Sequence, residues 1–163
     1  MEHNTEHIAS YFFSEKWEGL AFVLVGIAAI ALSAWLWRGP YRGMSVPLVL
    51  IALIQVVVGG SVFLRSDAQE AALQAKLVND RAALVAGEVP RMETVMANFR
   101  IYKAVELVVF ALGVVLTFLF PHRDFLYSMG IGCIAQAALM LVLDLFAEHR
   151  GAAYLAMLRS LTG

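Results

Sequence analysis

The sequence predicts an all-α integral membrane protein: an up-down four-helix transmembrane bundle with an extramembrane helical hairpin between spans 2 and 3. Composition and patterning carry this prediction. Of the 163 residues, 61% are apolar and only 15% charged, against about 45–50% and ~25% in soluble domains, and the mean hydropathy is +0.74. A water-soluble chain this apolar could not cover its own surface. The apolar residues also fall into four runs, at about 17–37, 44–64, 101–120 and 125–147. Each run can cross a ~30 Å hydrocarbon layer as a helix rising ~1.5 Å per residue.

The elements follow in order. Residues 1–16 are polar, with Ile8, Tyr11, Phe12 and Phe13 ahead of Trp17, and read as an interfacial arm. Span 1 ends at Trp35 and Trp37, a second aromatic belt. Arg38-Gly39-Pro40-Tyr41-Arg42-Gly43 then breaks the helix. The first run is too long for a signal-peptide core and has no Ala-x-Ala site after it, so it reads as a retained span. Span 2 is rich in β-branched residues, yet a lone strand cannot satisfy its backbone in lipid, so it reads as a helix. Residues 66–100 are expected to form a helix-turn-helix. Ser66-Asp67-Ala68-Gln69 fits a capping box that starts a new helix. Gly87 suits its C-cap, and Pro90 suits the first turn of the next. Pro121-His122-Arg123-Asp124 is the second short turn. Span 4 is followed by Gly151 and a short tail, residues 151–163, interfacial in character.

An even number of spans places both termini and the 66–100 segment on one side. Nine of the twelve basic residues share that side: Lys16, Arg65, Lys76, Arg81, Arg91, Arg100, Lys103, Arg150 and Arg159. Arg38, Arg42 and Arg123 lie in the turns. The positive-inside rule then favours cytoplasmic termini, and a bacterial inner membrane is assumed. The net charge of −1 gives no signal for nucleic acid.

A polar cluster is expected where the spans meet the terminal side: Glu18, Arg65, Tyr102, Lys103, Glu106, Asp144, Glu148, His149 and Arg150. Tyr102 and Glu106 are spaced i,i+4, as are Asp144 and Glu148. An ionisable group at a span centre costs about 2.5–3.5 kcal/mol on insertion scales, less near the interface. Glu106 and Asp144 should therefore turn inward and find partners, with Arg65, Lys103 and Arg150 as candidates. The bland interpretation is a structural clamp of ion pairs. A sharper one is a site for a proton, an ion or a small polar ligand, since intramembrane acids mark such pathways. A carboxylate metal site from Glu18, Glu106, Asp144, Glu148 and His149 is disfavoured, because Glu148 and His149 are adjacent and point about 100° apart.

Gln55 and Gln136 lie mid-span and read as interhelical hydrogen-bonding glue. Gly26, Ala29, Ser33, Gly59, Gly60, Gly113, Ser128 and Gly132 allow close helix contact. His3 and His7 are i,i+4, a weak metal signal near a terminus. Cys133, the one cysteine, sits in span 4, where a thiol is inert. No nucleophile–base set or HExxH motif appears, and no cofactor is implied. The first expectation for function is a non-enzymatic partner-binding, assembly or regulatory module, docking through the Leu73, Leu77 and Leu84 face of the 66–100 hairpin, with a homo-oligomer as a further partner. The alternative is a small proton- or ion-coupled transporter or channel using Glu106 and Asp144.

Overall fold

Four apolar runs become four long helices in the computed structural model, which describes residues 2–161, with side chains from residue 4. They are α1 (Glu2–Leu36), α2 (Ser45–Asn79), α3 (Arg81–Leu119) and α4 (Asp124–Ser160), with a short 3-10 turn at Arg42–Met44 before α2. No strand occurs among the described residues. Each of the four is long and apolar enough to cross a membrane by length and composition.

The helices are longer than the apolar runs, which corrects several sequence-derived boundaries. The described part of the arm, residues 2–16, is helical and continuous with α1. Ser66 does not begin a helix: α2 runs through it, and its hydroxyl instead donates to the Val62 carbonyl at 2.7 Å. Gly87 is not a C-cap, and Pro90 lies inside α3. The reversal between α2 and α3 comes at Asp80 alone, where the backbone turns to φ −153°, ψ 80°. Its side chain accepts a hydrogen bond from the Ala83 amide at 2.9 Å, the N-cap bond that satisfies an otherwise orphan helix donor. Gly151 likewise sits within α4.

The remaining joints follow ordinary punctuation. Gly39 and Pro40 stop α1, and Pro47 falls in the first turn of α2, where a missing N–H costs no intrahelical bond. Asp124 opens α4 with a negative charge at the positive end of the helix dipole.

Packing is pairwise. α1 lies chiefly against α2 and α3 against α4, while α4 also touches α2 and the 3-10 turn; α1 and α3 are on the diagonal. Close approach within each pair depends on glycine. A Cβ on Gly19 would lie 2.8 Å from the Gly59 carbonyl oxygen, and one on Gly113 would lie 2.7 Å from that of Gly130. At the turn end, the Ser33 and Ser45 hydroxyls donate to each other's carbonyls at 3.1 and 2.9 Å.

The main apolar core is at the terminal end. Ile8 and Phe12 from α1, Leu73 and Leu77 from α2, Leu84 and Met92 from α3, and Tyr154, Leu155 and Leu158 from α4 pack together. The leucine face expected to dock a partner is thus covered by the chain's own α1 and α4. Residues 66–100 are not a free-standing hairpin but half of this shared core.

Candidate functional site

Below that core the interior becomes polar, in successive layers. The uppermost is centred on Glu88, which is buried on α3. Arg91, one turn on, donates to both its oxygens at 2.8 and 2.6 Å, and the Tyr154 hydroxyl donates to Oε1 at 3.3 Å. Tyr11 stacks on Tyr154 with ring centroids 4.1 Å apart, and its hydroxyl points at the Met92 sulfur at 3.7 Å. Burial pushes both tyrosine hydroxyls well above their ordinary range, reinforced at Tyr11 by Glu15 and at Tyr154 by Glu88. The hydrogen bond to Glu88 raises Arg91 in turn.

The next layer is a ring of ion pairs. Lys16 meets Asp67 at 2.6 Å, Arg65 meets Glu15 at 3.8 Å, Arg150 meets Glu18, and Lys103 meets Glu148 at 2.6 Å. Burial raises Glu15 above the usual carboxyl range against the pull of Arg65, and burial lowers Arg150.

This ring corrects the expected pairing. Arg65, Lys103 and Arg150 were the candidate partners for Glu106 and Asp144. Each is instead bonded to another acid, because Glu15, Glu18 and Glu148 project at the level where those cations end. Glu106 and Asp144 lie one helical turn deeper. They are 8% and 7% exposed, and their carboxyl groups face each other across the α3–α4 seam. Neither forms an ion pair among the described residues, although the Lys103 ammonium acts on both from above. One oxygen of each, Glu106 Oε2 and Asp144 Oδ2, is buried with no hydrogen-bond partner.

Two facing carboxyl groups carry a chemical requirement. Ionised carboxylate oxygens only accept, so a hydrogen bond between the two requires a proton on one of them, as in other pairs of facing acids.

Further inward are the two amides. Gln55 of α2, fully buried, reaches across to α4, where its Nε2 lies 3.2 Å from the Met140 sulfur. Its Oε1 is left without a partner, as is Nε2 of the buried Gln136. Gln136, Met140, Asp144 and Glu148 repeat at four-residue intervals, so α4 turns one polar stripe inward.

Two predicted site residues are elsewhere. Tyr102 is 51% exposed and makes an edge contact with Phe99, so the four-residue spacing does not bring it beside Glu106. His149 is exposed and turned away from Glu148, as the 100° step requires. No group of three or more His, Cys, Asp or Glu is placed to hold a metal among the described residues. His7 is exposed, and the side chain of His3 lies outside the described residues. Sequence reasoning missed Glu15, Asp67, Glu88, Arg91 and Tyr154. The spacings Glu15–Glu18 and Glu88–Arg91, three apart, were the available signals.

Compared with family models, with curated proteins and with solved structures, the chain matches none.

Proposed function

We propose that this chain is an integral membrane protein of four spans in up-down order, and that it works as a small proton channel or transporter whose proton-binding element is the Glu106–Asp144 pair. The single observation that carries this is the isolation of the pair. Every basic side chain of the ring above it is matched to a different acid, while the two carboxyls face each other alone. Burying ionisable groups at this depth is costly, and a structural clamp would place a cation between them.

The exposed aromatics support the placement in lipid. Trp17 and Trp35 on α1 are both strongly exposed, and 18 residues of helix separate them, about 27 Å, close to the hydrocarbon thickness. The ion-pair ring then lies at one interface, with Glu106 and Asp144 just beneath it and the four-helix core outside. We place the termini in the cytoplasm and the chain in a bacterial inner membrane. The pair is reached from the terminal side, past the Lys103–Glu148 bridge.

The test is reconstitution of the full chain in liposomes loaded with a pH-sensitive dye. Under an imposed proton gradient, wild type is expected to dissipate it faster than empty liposomes, and Glu106→Gln and Asp144→Asn are expected to lose this while remaining folded. Wild type indistinguishable from empty liposomes overturns the proposal.

A second reading keeps residues 66–100 as a docking site for a protein, on a different face from the leucines. Val78 is 71% exposed beside the reversal, and neighbouring Lys76 and Arg81 are in no ion pair among the described residues, so an acidic partner would fit. Lys76→Glu with Arg81→Glu should then release a co-purifying protein without lowering the melting temperature; a partner that stays bound removes this reading. Association of copies would use the outward face of α3, where Ile101, Val105, Val108 and Leu112 are exposed.

A further inference from the structure

We infer that α3 carries a docking site for one anionic phospholipid of the terminal-side leaflet, its phosphate held by Arg100 and an acyl chain lying in the groove from Ile101 to Val109. The inference rests on the reading of the chain as a membrane-spanning bundle and is independent of proton transport. α3 is the span least covered by its own chain: 11% of its most apolar stretch is buried, against 28–33% in the other three. The outward surface of α3 is hollowed near its terminal-side end. Arg100, Ile101, Ala104, Val105, Val108 and Val109 line a groove of about 470 Å³, within the range of about 300–1,000 Å³ that small-ligand sites take. Apart from the head of Arg100 the lining side chains are hydrocarbon, and Ile101, Val105 and Val108 are 58%, 56% and 68% exposed.

Charge and length together choose the occupant. The basic side chains of the ring, Lys16, Arg65, Lys103 and Arg150, are each matched to an acid. Arg100, one turn from Lys103 toward the terminal end, is exposed and forms no ion pair among the described residues. A guanidinium without an acid at headgroup depth offers a fork of donors that matches phosphate. From Arg100 to Val109 the helix rises about 13–14 Å, close to the ~15 Å that one leaflet contributes to a ~30 Å hydrocarbon layer. The groove thus has the length of one leaflet and a cation at its wet end, the outline of a single phospholipid. A second copy complements it less well. Parallel copies related by a two-fold axis would bring Arg100 against its own counterpart at the same depth, so contact between copies on this face needs an anion between them as well. A smaller groove at the turn end, between Trp37 and Leu50, has no charged residue in its lining, and no headgroup preference is expected of it.

The test is native mass spectrometry of the full chain, released from a non-ionic detergent after incubation with equal amounts of phosphatidylglycerol and phosphatidylcholine of the same acyl chains. A parallel sample receives inorganic phosphate alone. Wild type should retain one lipid with about a fivefold preference for phosphatidylglycerol, the equivalent of about 1 kcal/mol for one basic side chain at the membrane surface. Arg100→Gln should lose the preference, and Arg123→Gln, at the turn end, should keep it. Ala104→Phe, which fills the groove, should lower retention of both lipids. All three substitutions are at exposed positions, where stability changes little. Thermal unfolding in detergent, followed by a thiol-reactive dye at the single buried cysteine, Cys133, should give them the wild-type midpoint. Equal retention of the two lipids by wild type overturns the inference, as does a preference that survives in Arg100→Gln. A lipid-free dimer dissociated by Ala104→Phe gives the face to a second copy, and retention of inorganic phosphate that needs Arg100 makes it a site for a free anion; either refutes the lipid. A chain that stays soluble without detergent overturns both this inference and the membrane reading, whereas absence of lipid preference with proton flux intact refutes the docking site alone.

Discussion

Replacing Asp144 by Asn separates a carboxyl pair from an ordinary ion pair by the sign of its effect on stability. In wild type, two carboxyl groups face each other, each with an unpartnered oxygen, and the nearest cation, Lys103, is held by Glu148 at 2.6 Å. Asparagine has nearly the same shape and brings an N–H₂ donor to the place where Asp144 contacts Glu106. The N–H₂ donates a bond of the same charge-assisted kind, about 1.5–3 kcal/mol, without the proton that the carboxyl pair must take up, an uptake costing about 1.4 kcal/mol for each pH unit above the ordinary carboxyl range. After allowance for imperfect geometry, a net gain of about 1–3 kcal/mol is expected. For a chain of this length that is an upward shift of roughly 2–12 °C, at about 2–4 °C per kcal/mol. Had Asp144 been salt-bridged to Arg65, Lys103 or Arg150, the same change would strand a buried cation and cost about 3–5 kcal/mol. The assay is the Cys133 dye melt, with Glu106→Gln and the double variant completing a cycle in which the single effects fail to add. A fall of several degrees in Asp144→Asn, or strict additivity in the cycle, refutes the reasoning. A variant that is more stable yet inactive would show the trade expected where a site is kept under strain for function.

Other outcomes follow from the same coordinates. Leu84→Ala and Leu158→Ala, each at a fully buried position of the terminal core, should cost about 2–5 kcal/mol; losses under ~1 kcal/mol in the dye melt would mean that core is not formed. Gly59→Val drives a side chain into the Gly19 carbonyl and the Phe22 side chain, so a loss of about 1–3 kcal/mol or more is expected, and a neutral effect would argue against the α1–α2 contact. The folded-state shifts of Tyr11 and Tyr154 are upward, so their hydroxyls remain protonated while those of the unfolded chain ionise above pH about 10. Stability is therefore lost as pH rises past that value, by up to about 1.4 kcal/mol per pH unit for each tyrosine. Tyr154→Phe should flatten the alkaline limb of a midpoint-against-pH curve, and an unchanged limb counts against the buried hydroxyl.

What the sequence disclosed was set by period and by composition. The four long helices were legible because hydrophobic runs of span length admit few alternatives. Their ends were not. The capping-box pattern at Ser66 and the Gly87–Pro90 pair are local signals, and both were overridden by packing: Leu73, Leu77 and Leu84 are held by Ile8, Phe12 and Leu158, which keeps α2 and α3 helical through the supposed breaks. Asp80, an acid among several polar residues, gave no stronger signal than its neighbours. At the site, depth along each helix correctly singled out Glu106 and Asp144 as inward-turning. Their partners were illegible because pairing depends on lateral register between helices: which cation reaches which acid is decided by shifts of a single turn. Tyr102 failed for a related reason. Four residues advance a helix by 400°, so an i,i+4 partner is displaced 40° around the axis, and Tyr102 lies on the outer side of that arc, 51% exposed.

The claim on which the account turns is that Glu106 and Asp144 hold a proton between them. Infrared difference spectroscopy of the purified protein in detergent at neutral pH tests it directly, through the carbonyl stretch of a protonated carboxylic acid. The account predicts one such band in wild type, lost or shifted in both Glu106→Gln and Asp144→Asn and unaltered in Tyr102→Phe. Two fully ionised carboxylates in wild type, with no band that responds to either substitution, would contradict it.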